Sequence, residues 1–255
     1  MNLAELNIES ESVEHLINRI NYIVDKNKTK ILSSQKKDIK LNLDYLINEE
    51  VTEILLSIKD IDIISEESDS NIEFTSSSKP VWIVDPLDGT YNMYRGFPYY
   101  GVSISLFYAG NPLWGFIYNI NNKDVFIAEN GISIKNGDII KTSKVSTLSN
   151  SSILTGFPLL FDFDRDDSDS FFHRIKQFKK VRMLGSASSS LCLLSEGVFD
   201  FYYEKHIMIW DVAAGLCLAS NAGAKYIMQK TDIPNCINLI VASNKKLLND
   251  FNKND

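Results

Sequence analysis

The stretch Val81-Trp82-Ile83-Val84-Asp85-Pro86-Leu87-Asp88-Gly89-Thr90-Tyr91-Asn92 decides how the rest of the chain is read. Four apolar residues, mostly β-branched, predict a buried strand over 81–84. Asp85-Pro86 ends that strand, because proline has no N–H to give to a ladder. Beyond it stand two carboxylates three residues apart. A chain bent by Pro86 and Gly89 aims both of them, and the Leu87 carbonyl, at one point. Mg²⁺ takes such an oxygen set and completes its octahedron with water. With a helical turn starting at Gly89, the Gly89 and Thr90 amides can hold a phosphate oxygen. Asp-Pro and Asp-Gly are also ordinary turn dipeptides, but turn chemistry does not explain the whole string D-P-x-D-G-T-x-N.

Working outward, Val13, Leu16, Ile17, Ile20 and Ile23 recur at helical spacing, and so do Leu43, Leu46, Ile47, Val51, Ile54, Leu55 and Ile58. Two amphipathic helices therefore open the chain. The apolar run 61–64 leads into Ser65-Glu66-Glu67-Ser68, and the polar residues up to Lys79 read as a mobile loop. Downstream, 101–108, 113–118 and 124–128 are rich in aromatic and β-branched residues, with turn pairs at Gly110-Asn111, Asn121-Asn122 and Asn136-Gly137. Consecutive strands with short turns predict an antiparallel sheet, one face of it covered by the two helices.

Past residue 150 the pattern alternates. Strands are expected at 152–155, 181–184, 198–203, 225–228 and 239–242. Helices are expected at 170–178, 186–195 and 211–221, with a last short one at the end. The expected organisation is an α+β half, 1–148, followed by an α/β half, 149–255. The second half carries Trp210-Asp211-Val212-Ala213-Ala214-Gly215, with Asp211 as N-cap and small residues that let the helix pack closely.

Across 255 residues, 44% hydrophobic and 23% charged content supports a substantial core, in one compact unit or two closely packed halves. A net charge of -7 gives no field to gather duplex nucleic acid. It leaves a small anionic substrate open, since bound cations invert the local potential. No apolar run approaches the roughly 20 residues that cross a bilayer, and the first residues are acidic, so a cytoplasmic protein with no membrane partner is expected. Cys192, Cys217 and Cys236 lie far apart without a C-x-x-C, which predicts buried free thiols.

The two motifs, with Glu66-Glu67 before the first and Arg182-Met183-Leu184-Gly185-Ser186-Ala187 before the second, resemble the signatures of the inositol monophosphatase family, Mg²⁺-dependent and lithium-sensitive phosphatases. The resemblance runs from about Asp38 to Ala242. It implies a layered αβαβα sandwich, a homodimer, and two or three Mg²⁺ ions held by Glu66, Asp85, the Leu87 carbonyl, Asp88 and Asp211. It further implies that Thr90, paired with Asp44, orients and deprotonates the attacking water, with Glu66 completing the catalytic group. Phosphate would rest on the Gly89 and Thr90 amides. Gly185, Ser186, Ala187 and Glu204 would meet the substrate's alcohol portion.

The implied reaction is in-line hydrolysis of a small phosphorylated substrate without a covalent enzyme intermediate. Inositol monophosphate is the default substrate. A 3′(2′),5′-bisphosphate nucleotide, a sugar bisphosphate or histidinol phosphate are the alternatives. The chain departs from the family in three places: Ser33-Ser34-Gln35-Lys36 stands where lysine and serine-proline are frequent, Leu41 and Leu43 replace threonines near Asp44, and the second motif's helix ends Ala222-Gly223-Ala224.

Competing readings fare worse. A dehalogenase-type phosphatase needs D-x-D-x-T/V, but the string from Leu159 to Asp166 has Asp166 at the last position. As a calcium loop it has Asp167 in the glycine position and His173 in place of the closing glutamate. No G-x-x-x-x-G-K-S/T and no G-x-S-x-G occurs. A metal- and phosphate-binding module that has lost turnover is opposed by the intact acidic set, because clustered carboxylates repel without a cation to hold.

Overall fold

The computed structural model describes residues 8, 10–35, 38–68, 72–74, 79–157 and 168–253. Helix α1 (Ser10–Lys26) buries Val13, Leu16, Ile20 and Ile23 on one face, as its periodicity predicts. A two-stranded hairpin, β1 (Ile31–Gln35) and β2 (Asp38–Leu41), leads into α2 (Asn42–Ile58). There follow β3 (Ile63–Ser65), β4 (Val81–Asp88), α3 (Thr90–Arg95), β5 (Gly101–Tyr108), β6 (Asn111–Asn119), β7 (Asp124–Glu129), β8 (Ile132–Lys135) and β9 (Asp138–Ile139). The chain continues through β10 (Ser152–Thr155), α4 (Ser168–Ile175), β11 (Lys180–Arg182), α5 (Ala187–Ser195) and β12 (Phe201–Met208). It closes with α6 (Ile209–Ala222), β13 (Lys225–Lys230), β14 (Cys236–Ala242) and α7 (Lys245–Asn252).

Strands β3 to β9 form one sheet in sequence order, and a second sheet runs β11-β10-β12-β14-β13. Strand β4 shows how the layers stack. Its eight residues are all buried, and they alternate between two cores because successive side chains point to opposite faces. Trp82 and Val84 join the cluster of α1 and α2; Val81 and Ile83 join the cluster that α5 and α6 build with the second sheet. The outer face of the second sheet is covered by α4 and α7 through Phe171, Ile175, Leu247 and Phe251. The five layers are helices, sheet, helices, sheet, helices, the αβαβα sandwich implied by the resemblance.

Several expectations need correction. The first sheet is not wholly antiparallel, since β3 runs parallel to β4. The second is mixed: β10 is parallel to β11 and β12, whereas β14 is antiparallel to β12 and β13. Pro86 does not end β4. The ladder continues to Asp88 across an irregularity in which Asp85 pairs with Ser103 and Asp88 with Gly101. Three steps on one strand thus face two on the other, a bulge that absorbs the missing N–H.

Strand β12 starts at Phe201 rather than 198 and runs on through Glu204. Val198 and Phe199 instead close the end of α5, their N–H groups donating to the Leu193 carbonyl. Asp211 is not an N-cap but the third residue of α6, behind Met208.

The segment expected to be mobile before Lys79 is tied down where it is described. Phe74 is 2% exposed and meets Phe107 edge-on at 5.9 Å. Asn235 holds it at both ends, accepting from Phe74 N at 3.2 Å and donating to the Ile72 carbonyl at 2.9 Å. Residues 158–167, with the strings read as dehalogenase-like or calcium-binding, lie outside the described residues, as do Lys36 and residues 69–71 and 75–78. The three cysteines are buried and free.

Candidate active site

Glu66 follows β3, Asp85 sits at the bulge of β4 and Asp211 lies in the first turn of α6. These three carboxylates, 19 and 126 residues apart along the chain, bring one oxygen each within 4.8 Å of one another. Burial, then the charges of Glu66, Asp88 and Asp211, push the Asp85 carboxyl well above the usual carboxylate range. Asp211 is raised in the same way, by burial and then by Glu66 and Asp88. Like charges this close disfavour one another's ionised forms unless a cation stands between them. The donors are all hard oxygens without nitrogen or sulfur, the chemistry of Mg²⁺, Mn²⁺ or Ca²⁺ rather than of zinc or copper. A divalent hard cation fits the residues present.

Asp88, itself buried, is a fourth acid in the same cleft. Its Oδ2 accepts from Ser186 Oγ at 2.6 Å, from Ser188 N at 2.8 Å and from Ser188 Oγ. Burial raises its carboxyl, against the lowering effect of these hydrogen bonds. One oxygen is thus tied to the start of α5. Ser186, expected to face the substrate, caps α5 by accepting from Ser189 N and spends its hydroxyl on Asp88. It still lines the cleft, beside Gly185 and Ala187.

Thr90 and Asp44 meet. Thr90 Oγ1 lies 3.0 Å from Asp44 Oδ1 and 2.8 Å from the Leu87 carbonyl oxygen, so its one proton has two acceptors. Asp44 can look inward because it caps its own helix: its Oδ2 accepts from Leu41 N at 2.7 Å, half of a capping box. Burial pushes the Asp44 carboxyl up to about 6, against the hydrogen bonds from Leu41 and Thr90. Gly89, with φ +81°, turns the chain from β4 into α3, and a Cβ there would come within 2.6 Å of the Tyr99 carbonyl oxygen. The turn needs glycine on both counts.

Glu204 enters from the second sheet, again at a bulge: Glu204 pairs with Leu239 and Ile207 with Ile237, with His206 between them at φ +57°. Its carboxylate packs so closely on Gly156 that a Cβ there would sit 2.6 Å from Oε1. Burial pushes Glu204 up to about 8.

Of the residues to which the resemblance gives a site role, all except Asp44 line one cleft of about 390 Å³; Asp44 stands behind Thr90. The sequence reading missed the rest of the wall, chiefly Tyr91, Asn92, Thr155, Gly156 and Phe157. Asn92 donates to the carbonyls of Tyr99 and Leu184, both at 2.8 Å, and so ties α3 to the 184–185 segment. Its signal was its place as the last fixed position of the first motif. Thr155 ends β10 and Gly156 and Phe157 follow it, at the carboxyl end of a strand, where α/β sheets commonly bind ligands.

A model of the "Inositol monophosphatase family" matches residues 7–253. The chain is 30% identical over 173 residues to an inositol-1-monophosphatase of Mycobacterium bovis, a match that takes in 65% of this chain and 60% of that protein's length. It is 30% identical over 230 residues to a "Fructose-1,6-bisphosphatase/inositol-1-monophosphatase" of Aquifex aeolicus, over 88% of this chain and 84% of that protein. Among solved structures, an IMPase/NADP phosphatase complexed with Mg²⁺ and phosphate superposes with a TM-score of 0.78 at 19% identity, covering 95% of this chain and 91% of that one. The last likeness speaks to the fold alone.

Proposed function

Because the chain belongs to the inositol monophosphatase family, we propose that it is a divalent-cation-dependent phosphoric monoester hydrolase acting on a small phosphorylated polyol, inositol monophosphate in the first instance. The observation that carries this reading is the meeting of Glu66, Asp85 and Asp211 within 4.8 Å. In this reading those three side chains, Asp88 and the Leu87 carbonyl hold two or three Mg²⁺ ions. When bound, Mg²⁺ neutralises the acid cluster, stabilises charge on the phosphoryl oxygens and lowers the pKa of water.

The chain's own residues do the rest. Thr90 Oγ1 receives a proton from the attacking water as its own passes to Asp44 Oδ1, 3.0 Å away. Asp44, raised to about 6 by burial, is a better proton acceptor near neutrality than an ordinary aspartate. The Gly89 and Thr90 amides steady a phosphate oxygen, and the bulk of Gly89's neighbours keeps that turn fixed. Glu204, backed onto Gly156, meets hydroxyls of the leaving alcohol beside Gly185 and Ala187. Ser186 and Ser188 hold Asp88 in place.

A sugar bisphosphate is the second reading, favoured by the Aquifex relative, whose match takes in 88% of this chain. The division into halves at 148/149, a homodimer, lithium inhibition and a cytoplasmic location belong to the same proposal. For the last, no helix among the described residues is long and apolar enough to cross a membrane.

The test is phosphate release by purified protein from inositol 1-phosphate, fructose 1,6-bisphosphate and 3′-phosphoadenosine 5′-phosphate, with Mg²⁺ and after chelation. Mg²⁺-dependent release is expected, fastest from inositol 1-phosphate. Tight Mg²⁺ binding with no release from any of them would make the protein a binding module instead.

A further inference from the structure

Glu67 is an acid that the chemistry above leaves without a role. It sits next to Glu66 on the turn after β3, yet it neither lines the cleft nor joins the group formed by Glu66, Asp85 and Asp211. Its side chain is nonetheless only 2% exposed. A carboxylate covered to that degree needs a partner. Lys40, next to the end of β2, supplies it: Nζ donates to Glu67 Oε1 at 2.6 Å.

The turn that carries both acids is fixed. Ser65 Oγ donates to Asn48 Oδ1 of α2 at 2.6 Å, and Ser68 Oγ donates to the Ser65 carbonyl at 3.1 Å. From this turn Glu66 brings an oxygen to the acid cluster, while Glu67 meets β2. Lys40 stays within the field of that cluster. Burial lowers its ammonium, but the hydrogen bond and charge of Glu67, and after them the charge of Glu66, raise it above the ordinary lysine value.

The charges then balance. Glu66, Asp85, Asp88 and Asp211 carry one negative charge each when ionised, which a pair of divalent cations cancels. Lys40 cancels the charge of Glu67. A further divalent cation that took Glu67 as a ligand would have to displace the ammonium or lie against it, and repulsion between like charges grows as water is excluded.

Resting on the cation-dependent reading above, we propose that Lys40 is a built-in cation of the site: by holding Glu67 it keeps that carboxylate out of the metal cage and sets the number of divalent ions at two rather than three.

The experiment counts Mn²⁺ bound per chain at saturation, without phosphate, by equilibrium dialysis and electron paramagnetic resonance of the free ion. Wild type is expected to hold about two, Lys40→Gln about three, and Lys40→Arg, which keeps the charge, about two. Adding Glu67→Gln to Lys40→Gln is expected to restore the wild-type count. An unchanged count in Lys40→Gln overturns the inference. So does an extra ion that survives in the double variant, because Glu67 is then not its ligand, and so does an extra ion in Lys40→Arg.

Glu67→Gln alone gives an answer that does not depend on Lys40→Gln folding, since it removes a buried charge and leaves Lys40 partly exposed. Its count is expected to equal that of wild type. Loss of an ion would mean that Glu67 is already a metal ligand, which overturns the inference. Mn²⁺ bound in a number that ignores Lys40 leaves the phosphatase reading standing, whereas wild type that binds no Mn²⁺ removes both.

Discussion

The two faces of β12 do opposite things with neighbouring residues. Outward, Phe201 and Tyr203 meet Phe251 at 4.7 and 5.5 Å, and Phe178 closes on Phe201 at 4.9 Å. Inward, Glu204 is buried in the cleft with its carboxyl raised to about 8. Buried rings stabilise the fold by area and by edge contacts. A buried acid without a partner charge costs stability. One strand alternating between faces thus builds the part of the protein that holds together and the part that strains to come apart. The strained face is the one to which the proposed function assigns the chemistry.

Substitutions in the cleft that the inward face closes and in the core behind the outward face should separate accordingly. Asp85→Asn should lower kcat/KM by about 10³-fold or more, as loss of a ligand at the centre of charge stabilisation. The same change should raise the melting temperature of the metal-free protein, because it relieves a buried repulsion. A fall in that temperature would mean that the cleft acids do not repel one another in the metal-free protein. On the other face, Phe251→Ala should cost about 3–5 kcal/mol by denaturant unfolding, with turnover per folded molecule within twofold of wild type. Lost turnover at full folding would mean the outer layer shapes the cleft.

Smaller effects sharpen the picture. Asp88→Asn should lower kcat by at least about 10²-fold with the fold kept, since three donors from α5 still have an oxygen to hold. Near-normal turnover in saturating Mg²⁺ would remove Asp88 from the site.

The most gradual effect is a pH slope. Glu204 is pushed from 4.5 to about 8 when folded, so the folded chain binds its proton more tightly than the unfolded chain does. Its contribution is fully favourable below the ordinary value and is lost as pH rises toward about 8, by roughly 1.4 kcal/mol per pH unit at most. Melting of the metal-free protein from pH 5 to 8 should show a downward slope that Glu204→Gln makes shallower. An equal slope in both proteins would mean that Glu204 does not carry it.

What could be read beforehand follows the same division. Strand β4 was legible because both its faces are buried, which makes 81–84 a continuous apolar run. Its continuation through Pro86 was not, because the bulge opposite Ser103 and Gly101 depends on the partner strand. The hairpin β1–β2 escaped because Ser33 and Ser34 interrupt its apolar residues and Ile31 and Leu32 are left exposed. Val198 and Phe199 look like strand and serve as the end of a helix. Within the site, the string from Asp85 to Asn92 was local and could be read. The pairing of Asp44 with Thr90 came from the resemblance rather than from residue spacing. The wall from Thr155, Gly156 and Phe157 comes from the second sheet, and pattern along one chain does not report that it faces the first motif.

In the proposed function, acids distant in sequence form a cage for divalent cations. Crystals soaked in Mn²⁺ and measured for anomalous scattering test it most directly. A peak is expected within coordination distance of Glu66, Asp85 and Asp211, and its loss in Asp85→Asn. Saturating Mn²⁺ with no peak at that cluster would contradict it.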